Sequence, residues 1–143
     1  MTITVRQAKR EDAAEIARLN EAFNDLRSTP EQIAAQIDAC AGIETMLLAE
    51  VDGVVVGMAS LRLLPNICDP IPYAELTELF VEEAYRRLGV GRMLVEQVEQ
   101  AARTGGSDQL VLLTGFKNNR AHAFYHALGF AMCSFAMHKR FAP

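Results

Sequence analysis

The segment from Arg86 to Arg92 combines glycines with arginines at a point where a strand is predicted to lead into a helix. The first backbone N–H groups of a helix have no partner within it, and the helix dipole adds positive potential there. Glycines let an anion approach the backbone, and arginines add charge-assisted hydrogen bonds. The segment therefore predicts a phosphate or pyrophosphate site. The alternative is a plain strand-to-helix turn whose glycines serve only tight packing.

Two familiar glycine loops are excluded by the residues themselves. A dinucleotide-binding fingerprint, G-x-G-x-x-G, requires a third glycine where this chain has Leu94. A P-loop ends in Gly-Lys-Ser/Thr, which is missing here. The anion site is therefore expected to serve another cofactor.

The histidines and cysteines give weaker signals. His122 and His126 share one face of a predicted helix, but no third ligand is evident, so no metal site is expected. Cys40, Cys68 and Cys133 are odd in number and widely spaced, which fits neither a disulfide framework nor a zinc site. We expect them to be mostly buried free thiols. None lies in a recognisable nucleophile setting, so a covalent intermediate on cysteine is not expected.

Composition limits the class of protein. The chain has 143 residues, 50% of them apolar and 22% charged, which predicts one domain over residues 1–143. The net charge of -4 and the absence of a basic run argue against nucleic-acid binding, and an acidic balance tolerates cationic small molecules. We expect a cytoplasmic location and no membrane partner, because we find neither a signal peptide nor an apolar run of about 20 residues.

Hydrophobic periodicity predicts the elements that must position these residues. Their order is β-α-α-β-β-β-α-β-α-β, which indicates a mixed α/β sheet with helices on its faces. The signal at Thr29-Pro30 marks the start of a helix, and Asp52-Gly53 marks a hairpin. The predicted strands cover residues 3–7, 46–51, 54–61, 73–81, 110–113 and 131–141, and the predicted helices cover residues 12–26, 29–42, 92–103 and 118–128.

Two motifs stand out together. Arg86-x-x-Gly89-x-Gly91 follows a predicted strand, and Asn118–Phe130 has the pattern N-x-x-A-x-x-F-Y-x-x-x-G-F. The first resembles the Arg/Gln-x-x-Gly-x-Gly/Ala signature of the GCN5-related N-acetyltransferase (GNAT) superfamily, and the second is similar to another signature of that family. Residues 135–139 also resemble the family's usual last strand. The similarity in element order covers residues 2–141. One departure is Glu82-Glu83, where the family often has Asp-Pro, and it puts the geometry of the following loop in question.

The resemblance implies a cofactor, acetyl-coenzyme A, and a place for it. In the family, the two central strands splay at a β-bulge, and the pantetheine arm of acetyl-CoA lies between them. A bulge leaves backbone groups unpaired, and these can bind the pantetheine amides. The residues implied to bind the cofactor are Leu79, Phe80 and Val81 through their main chain, then Arg86, Arg87, Leu88, Gly89, Val90, Gly91 and Arg92 around the pyrophosphate, and Asn118 and Tyr125 from the other side.

The resemblance also implies catalytic roles. Tyr125 matches the tyrosine that protonates the departing thiolate, although it could instead be a core ring packed beside Phe124. Glu75 matches the general base of histone-acetylating members, and Glu78 an acidic position of the amine site in polyamine-acetylating members. Their odd spacing would put them on opposite faces of a regular strand, unless a bulge lies between them. We expect Glu78 to bind the amine and Glu75 to remove its proton through water.

These observations predict an acetyl-CoA-dependent N-acetyltransferase that acts on a primary amine by direct transfer in a ternary complex. Asp69, Glu75 and Glu78 would suit a small cationic acceptor. Protein lysine or N-terminal acetylation is one alternative, and a non-catalytic acetyl-CoA-binding regulatory module is another. A homodimer through the late strands, including residues 131–141, is also expected from the family.

Overall fold

The computed structural model describes every residue from Met1 to Pro143. Short 3-10 turns precede α1 and follow β4. The internal contacts divide the chain into two units, Met1–Leu112 and Leu113–Pro143. The elements are β1 (Ile3–Gln7), α1 (Ala13–Asn24), α2 (Pro30–Ala39), β2 (Glu44–Val51), β3 (Val54–Leu64), β4 (Tyr73–Val81), α3 (Val90–Thr104), β5 (Val111–Leu112) and α4 (Asn119–Ala127).

The first unit contains one five-stranded sheet in the order β1-β2-β3-β4-β5. The pairings from β1 to β4 are antiparallel, and β5 runs parallel to β4. Helices cover both faces of the sheet. Met58 of β3 packs with Ile16 and Leu19 of α1, whereas a Cβ on the neighbouring Gly57 would contact Leu94 of α3 at 3.3 Å. The predicted mixed α/β sheet with flanking helices is confirmed.

Two local sequence signals, one for a hairpin turn and one for a helix start, produce the structures predicted from them. The β2–β3 turn has positive φ at both Asp52 (50°) and Gly53 (83°), as a two-residue turn of the primed type requires. The Thr29 side chain accepts a hydrogen bond from the Gln32 backbone N–H, and the Gln32 side chain accepts one in return from the Thr29 N–H. This reciprocal cap, followed by Pro30 in the first turn, fixes the start of α2.

Several boundaries differ from the prediction. Helix α3 begins at Val90 rather than at residue 92, because Gly89, at φ 89°, makes the turn that lets the helix start. Strand β5 has two residues rather than the four predicted over residues 110–113, and both are half-buried. The cysteines are free thiols as predicted, but Cys68 and Cys133 are exposed rather than buried.

The predicted last strand is not formed. Residues 131–143 have no regular secondary structure, and every one of them is exposed. Phe135, Met137 and Phe141 are 87%, 96% and 88% exposed. An alternating sequence needs a second strand to pair its backbone groups, and residues 113–143 contain no other strand.

No helix of the chain combines the length and the apolar character that a membrane span requires. The longest helix, α3, also presents a polar face, with Arg92 and Glu96 exposed.

Candidate active site

The centre of the first unit's site is a β-bulge in β4. Ser60 of β3 pairs with Glu78, but the next residue, Leu61, pairs with Leu76, so Thr77 is the extra residue. This shift moves Glu75 opposite Arg62. Because Ser60 and Arg62 are two residues apart and share a face, their partners Glu78 and Glu75 share it too. The condition for the two glutamates to lie on one face is therefore met.

Glu75 is held by an arginine. Its carboxylate lies 3.6 Å from the Arg62 guanidinium, and its side chain is 13% exposed. The same guanidinium lies 3.5 Å from the carboxylate of Glu44 on β2. Arg62 thus bridges two carboxylates across three strands, and Glu75 does not line the neighbouring cavity.

Glu78 has a different environment. It receives a side-chain hydrogen bond from Asn24 of α1, and no cation is among the groups that act on it. Burial raises its pKa above the ordinary value, and the negative charge of Glu44 raises it further, while the Asn24 hydrogen bond opposes both effects. A raised pKa in a cleft is typical of a group that works on a ligand.

A cavity of about 500 Å³ lies between the sheet and the first two helices. Such a volume falls within the usual range for small-molecule sites. The polar groups of its lining come mostly from the sheet and the apolar groups mostly from the helices. Among the lining residues are Glu44, Ser60 and Glu78, with Asn20, Ile16, Ile33 and Ile37 opposite.

Strand β4, whose residues 79–81 are implied to bind the pantetheine arm, continues past its last pairing with β5. Strand β5 pairs with β4 only at Glu75 and Leu76, while β4 runs on to Val81. The Arg86 side chain returns to this segment, where its Nε donates to the Val81 carbonyl at 2.8 Å and its guanidinium lies 5.7 Å from the centre of the Phe80 ring. Beyond Leu76, β4 therefore has no strand paired on its β5 side, although the Val81 carbonyl already accepts from Arg86.

The glycine-rich turn presents unpaired N–H groups. The first helical hydrogen bond of α3 runs from the Met93 N–H to the Gly89 carbonyl at 3.0 Å, and no side chain caps the helix. The N–H groups before Met93 consequently have no partner within the helix. A Cβ on Gly89 would meet no atom within 4 Å, so its positive φ, and not crowding, requires glycine. Arg87, Leu88 and Arg92 are exposed around this turn. The turn fits a pyrophosphate group.

The second unit carries the two remaining predicted residues. Asn118 caps α4, because its side-chain oxygen accepts from the Ala121 N–H at 3.1 Å. The Tyr125 ring packs edge-on against Phe124 and Phe130, with centroids 5.3 and 5.6 Å apart. Burial raises the pKa of the Tyr125 phenol, so it stays protonated and able to donate at neutral pH.

Both helix histidines contact backbone carbonyls. His122 Nε2 lies 2.8 Å from the Gly115 oxygen, and His126 Nδ1 lies 3.0 Å from the Phe130 oxygen. Each contact holds one ring nitrogen close to the second unit's own backbone.

Sequence reasoning missed Glu44, Asn24 and Ser60. The hairpin turn could have located Glu44, because strand pairs count outward from Asp52-Gly53. That count puts Glu44 opposite residue 61. An irregularity after Glu50, where Val56 is the extra residue, moves it opposite Arg62 instead. No pattern in the sequence marks that extra residue.

Comparison with known proteins agrees with the geometry. The model of the acetyltransferase (GNAT) family matches residues 11–130. An aminoglycoside N(6')-acetyltransferase type 1 of Stenotrophomonas maltophilia is 31% identical over 130 residues, which make up 89% of this chain and 85% of that protein.

Solved structures show the same fold. A chain of Agrobacterium tumefaciens str. C58, provisionally classed as an acetyltransferase, is 26% identical with a TM-score of 0.87, and the match covers 96% of this chain and 99% of that one. The enzyme AAC(6')-Iy, solved with the bisubstrate analog CoA-S-monomethyl-acetylneamine, has a TM-score of 0.87 with full coverage of both chains. At 20% identity, this second likeness concerns the fold alone.

Proposed function

Because the chain belongs to the GNAT family of acetyltransferases, we propose that it acetylates a primary amine of a small cationic acceptor while holding both substrates together. The observation that carries this proposal is Glu78, a carboxylate without a cationic partner that lines a cavity on the face of the proposed cofactor strand. A carboxylate in such a place attracts an ammonium group.

Two segments of the first unit are proposed to bind the cofactor. The main chain of Leu79, Phe80 and Val81 is proposed to pair with the pantetheine amides, in the manner of an added strand. The N–H groups at the start of α3, with Arg87 and Arg92 nearby, are proposed to bind the pyrophosphate. Asn118, which the resemblance implies as a cofactor residue, is proposed to contact the cofactor as well.

Bound acetyl-CoA supplies an activated thioester, and the amine nitrogen forms a bond to its carbonyl carbon as the bond to sulfur breaks. Glu78 is proposed to hold the amine as it enters. Glu75 is proposed to take the amine's proton through a water molecule, so that the nitrogen lone pair is free to attack. Tyr125 is proposed to give its proton to the departing thiolate, because its phenol is neutral at the pH of the reaction.

The relative from S. maltophilia supports the acceptor class. Its name specifies an aminoglycoside, which is a polycationic amine. The cavity of this chain has helices α1 and α2 as one wall, and it is better suited to a small molecule than to an extended peptide.

Calorimetry and thiol release test the proposal together. Acetyl-CoA is titrated into the protein, with desulfo-CoA and NADH as controls, and amines are then screened for release of the coenzyme A thiol. We expect micromolar binding of acetyl-CoA and turnover with small cationic amines. Turnover with lysine peptides or protein N-termini alone would indicate that the acceptor is a protein and not a small amine. Binding without turnover for any amine would indicate a regulatory module.

We also propose a homodimer through residues 131–141. Their alternating apolar side chains, among them Phe135 and Met137, are almost fully exposed, which is costly in water unless a second copy covers them. Light scattering after size exclusion should give twice the chain mass, and Phe135→Ser with Met137→Ser should lower it to one chain. A monomer for the unaltered protein would reject the dimer.

A further inference from the structure

Three carboxylates line the cavity, and the chain holds them in different ways. Asp38 of α2 is paired with Arg10. Glu44 accepts a hydrogen bond from the Thr77 hydroxyl and lies 3.5 Å from Arg62. Glu78 has the Asn24 amide as its neighbour. The bulge is responsible for the arrangement, because it turns the Thr77 hydroxyl toward Glu44 while Glu78 stays opposite Ser60.

Negative charge is in excess on this face of the sheet. Glu44, Glu75 and Glu78 share it, and Arg62 is the cation that contacts the first two. The negative charge of Glu44 helps to raise the pKa of Glu78, because the two carboxylates repel each other. One arginine leaves this group of carboxylates with a net negative charge, and cations entering the cavity would relieve the repulsion.

The rest of the lining suits a cationic ligand with an aliphatic body. Ser60 lines the cavity and lies directly opposite Glu78. A hydroxyl oxygen carries two lone pairs, so it can accept a hydrogen bond from an N–H donor of a ligand. Ile16, Ile33 and Ile37 form an apolar wall against which methylene groups can pack.

We propose that Glu44 is a specificity-determining residue of the acceptor site, where it binds a second ammonium group that does not react. Glu78 then holds the reacting amine, because it immediately precedes the strand segment proposed to bind the cofactor. The acceptor class that fits is a diamine, or a larger polyamine that presents two ammonium groups. This inference rests on the proposed acetyltransferase function of the same cavity.

The test uses a matched pair of acceptors, 1,4-diaminobutane and butylamine, which differ by one ammonium group. Thiol release gives kcat/KM for each. A hydrogen-bonded contact to a charged group corresponds to roughly 10- to 100-fold in affinity, so the unaltered enzyme should prefer the diamine by about that factor. In Glu44→Gln the preference should disappear, because kcat/KM falls much further for the diamine than for butylamine.

The control is Glu50→Gln in the same strand. Glu50 is also paired with an arginine, Arg6, at 2.7 Å, and it lies outside the cavity lining. Loss of one strand carboxylate there should leave the diamine preference intact. An equal fall for both amines in Glu44→Gln, or an unchanged preference, would overturn the role of Glu44.

Direct binding separates this inference from the proposed function. Each amine is titrated calorimetrically into both variants and into the unaltered protein, without acetyl-CoA. A diamine preference that Glu44→Gln removes would support the inference even if no amine is acetylated, in which case only the proposed function fails. Equal binding of both amines to the unaltered protein would reject the inference, whatever the turnover.

Discussion

Ser60 and Glu78 lie directly opposite each other across β3 and β4, next to the point where the ladder shifts by one residue. The shift explains how a pair of glutamates with odd spacing reaches one face of the sheet. It also separates them chemically, because Glu75 lies beside Arg62 and Glu78 beside the cavity. The two carboxylates should therefore respond differently to substitution.

Conservative substitutions of Glu75 and Glu78 should change different kinetic parameters. Glu78→Gln should raise KM for the amine by about tenfold with a smaller change in kcat, because it removes a charge that binds the amine. Glu75→Gln should lower kcat, mostly at low pH, where the amine needs help to lose its proton. Steady-state rates of thiol release across pH would show this division. Full activity in both variants would remove both residues from the mechanism.

Glu78→Gln should also change the pH dependence of stability. The raised pKa of Glu78 means that the folded chain binds this proton more tightly than the unfolded chain. The carboxyl group therefore lowers the stability of the unaltered protein as the pH rises from the ordinary glutamate pKa to the raised one. Thermal melting at a series of pH values should give a Tm difference in favour of Glu78→Gln that grows across this window. A constant difference would contradict the assigned environment.

Two glycines form a matched pair for testing the cofactor turn. Gly89 and Gly53 both have φ above 80° and open space where a Cβ would be. Alanine at either position should cost about 1 kcal/mol of stability, because an L-residue is strained at positive φ. Only Gly89→Ala should weaken acetyl-CoA binding, since Gly53 lies in the β2–β3 hairpin. Calorimetry that shows equal acetyl-CoA affinity in both variants would remove the turn from the binding site.

Asp12 should contribute to acid stability. The Arg6 guanidinium donates two hydrogen bonds of 2.8 Å to its carboxylate and lowers its pKa to about 2. A lowered folded-state pKa gives stability that is present above the ordinary value of 3.8 and is lost as the pH falls toward about 2. Asp12→Asn should therefore cost about 1 kcal/mol at neutral pH and progressively less below pH 3.8. Urea unfolding at each pH measures it, and a cost that persists at the lowest pH would point to packing instead.

Much of the fold could be predicted from the sequence because its signals are local. The hairpin at Asp52-Gly53, the cap at Thr29 and the bounds of β4 depend on residues within a few positions of one another, and all three are confirmed. The prediction of a last strand was wrong because a strand depends on more than local signals. Alternation between residues 131 and 141 shows that a strand could form, but pairing depends on a partner far away in the sequence or in another chain.

The candidate site was predictable only in part. The Arg86–Arg92 turn and Glu78 were found through motifs. Arg62, Glu44 and Asn24 were not, because each reaches the site through strand register or helix packing. Single-residue irregularities after Glu50 and Ser60 set that register. The roles of Asn118 and Tyr125, the homodimer and the cytoplasmic location stay predictions.

The sheet of the first unit follows the order of the chain, since β1, β2, β3, β4 and β5 are spatial neighbours in sequence order. Each strand that leaves the ribosome can therefore add to an edge made by the strand before it, without waiting for a later segment to insert between them. A domain whose N-terminal part folds first during synthesis benefits from such an order. Because the sheet is complete at Leu112, none of its strand pairings depends on residues 113–143. The cavity with Glu44 and Glu78 is likewise lined only by residues up to Glu78, so its formation does not require Tyr125.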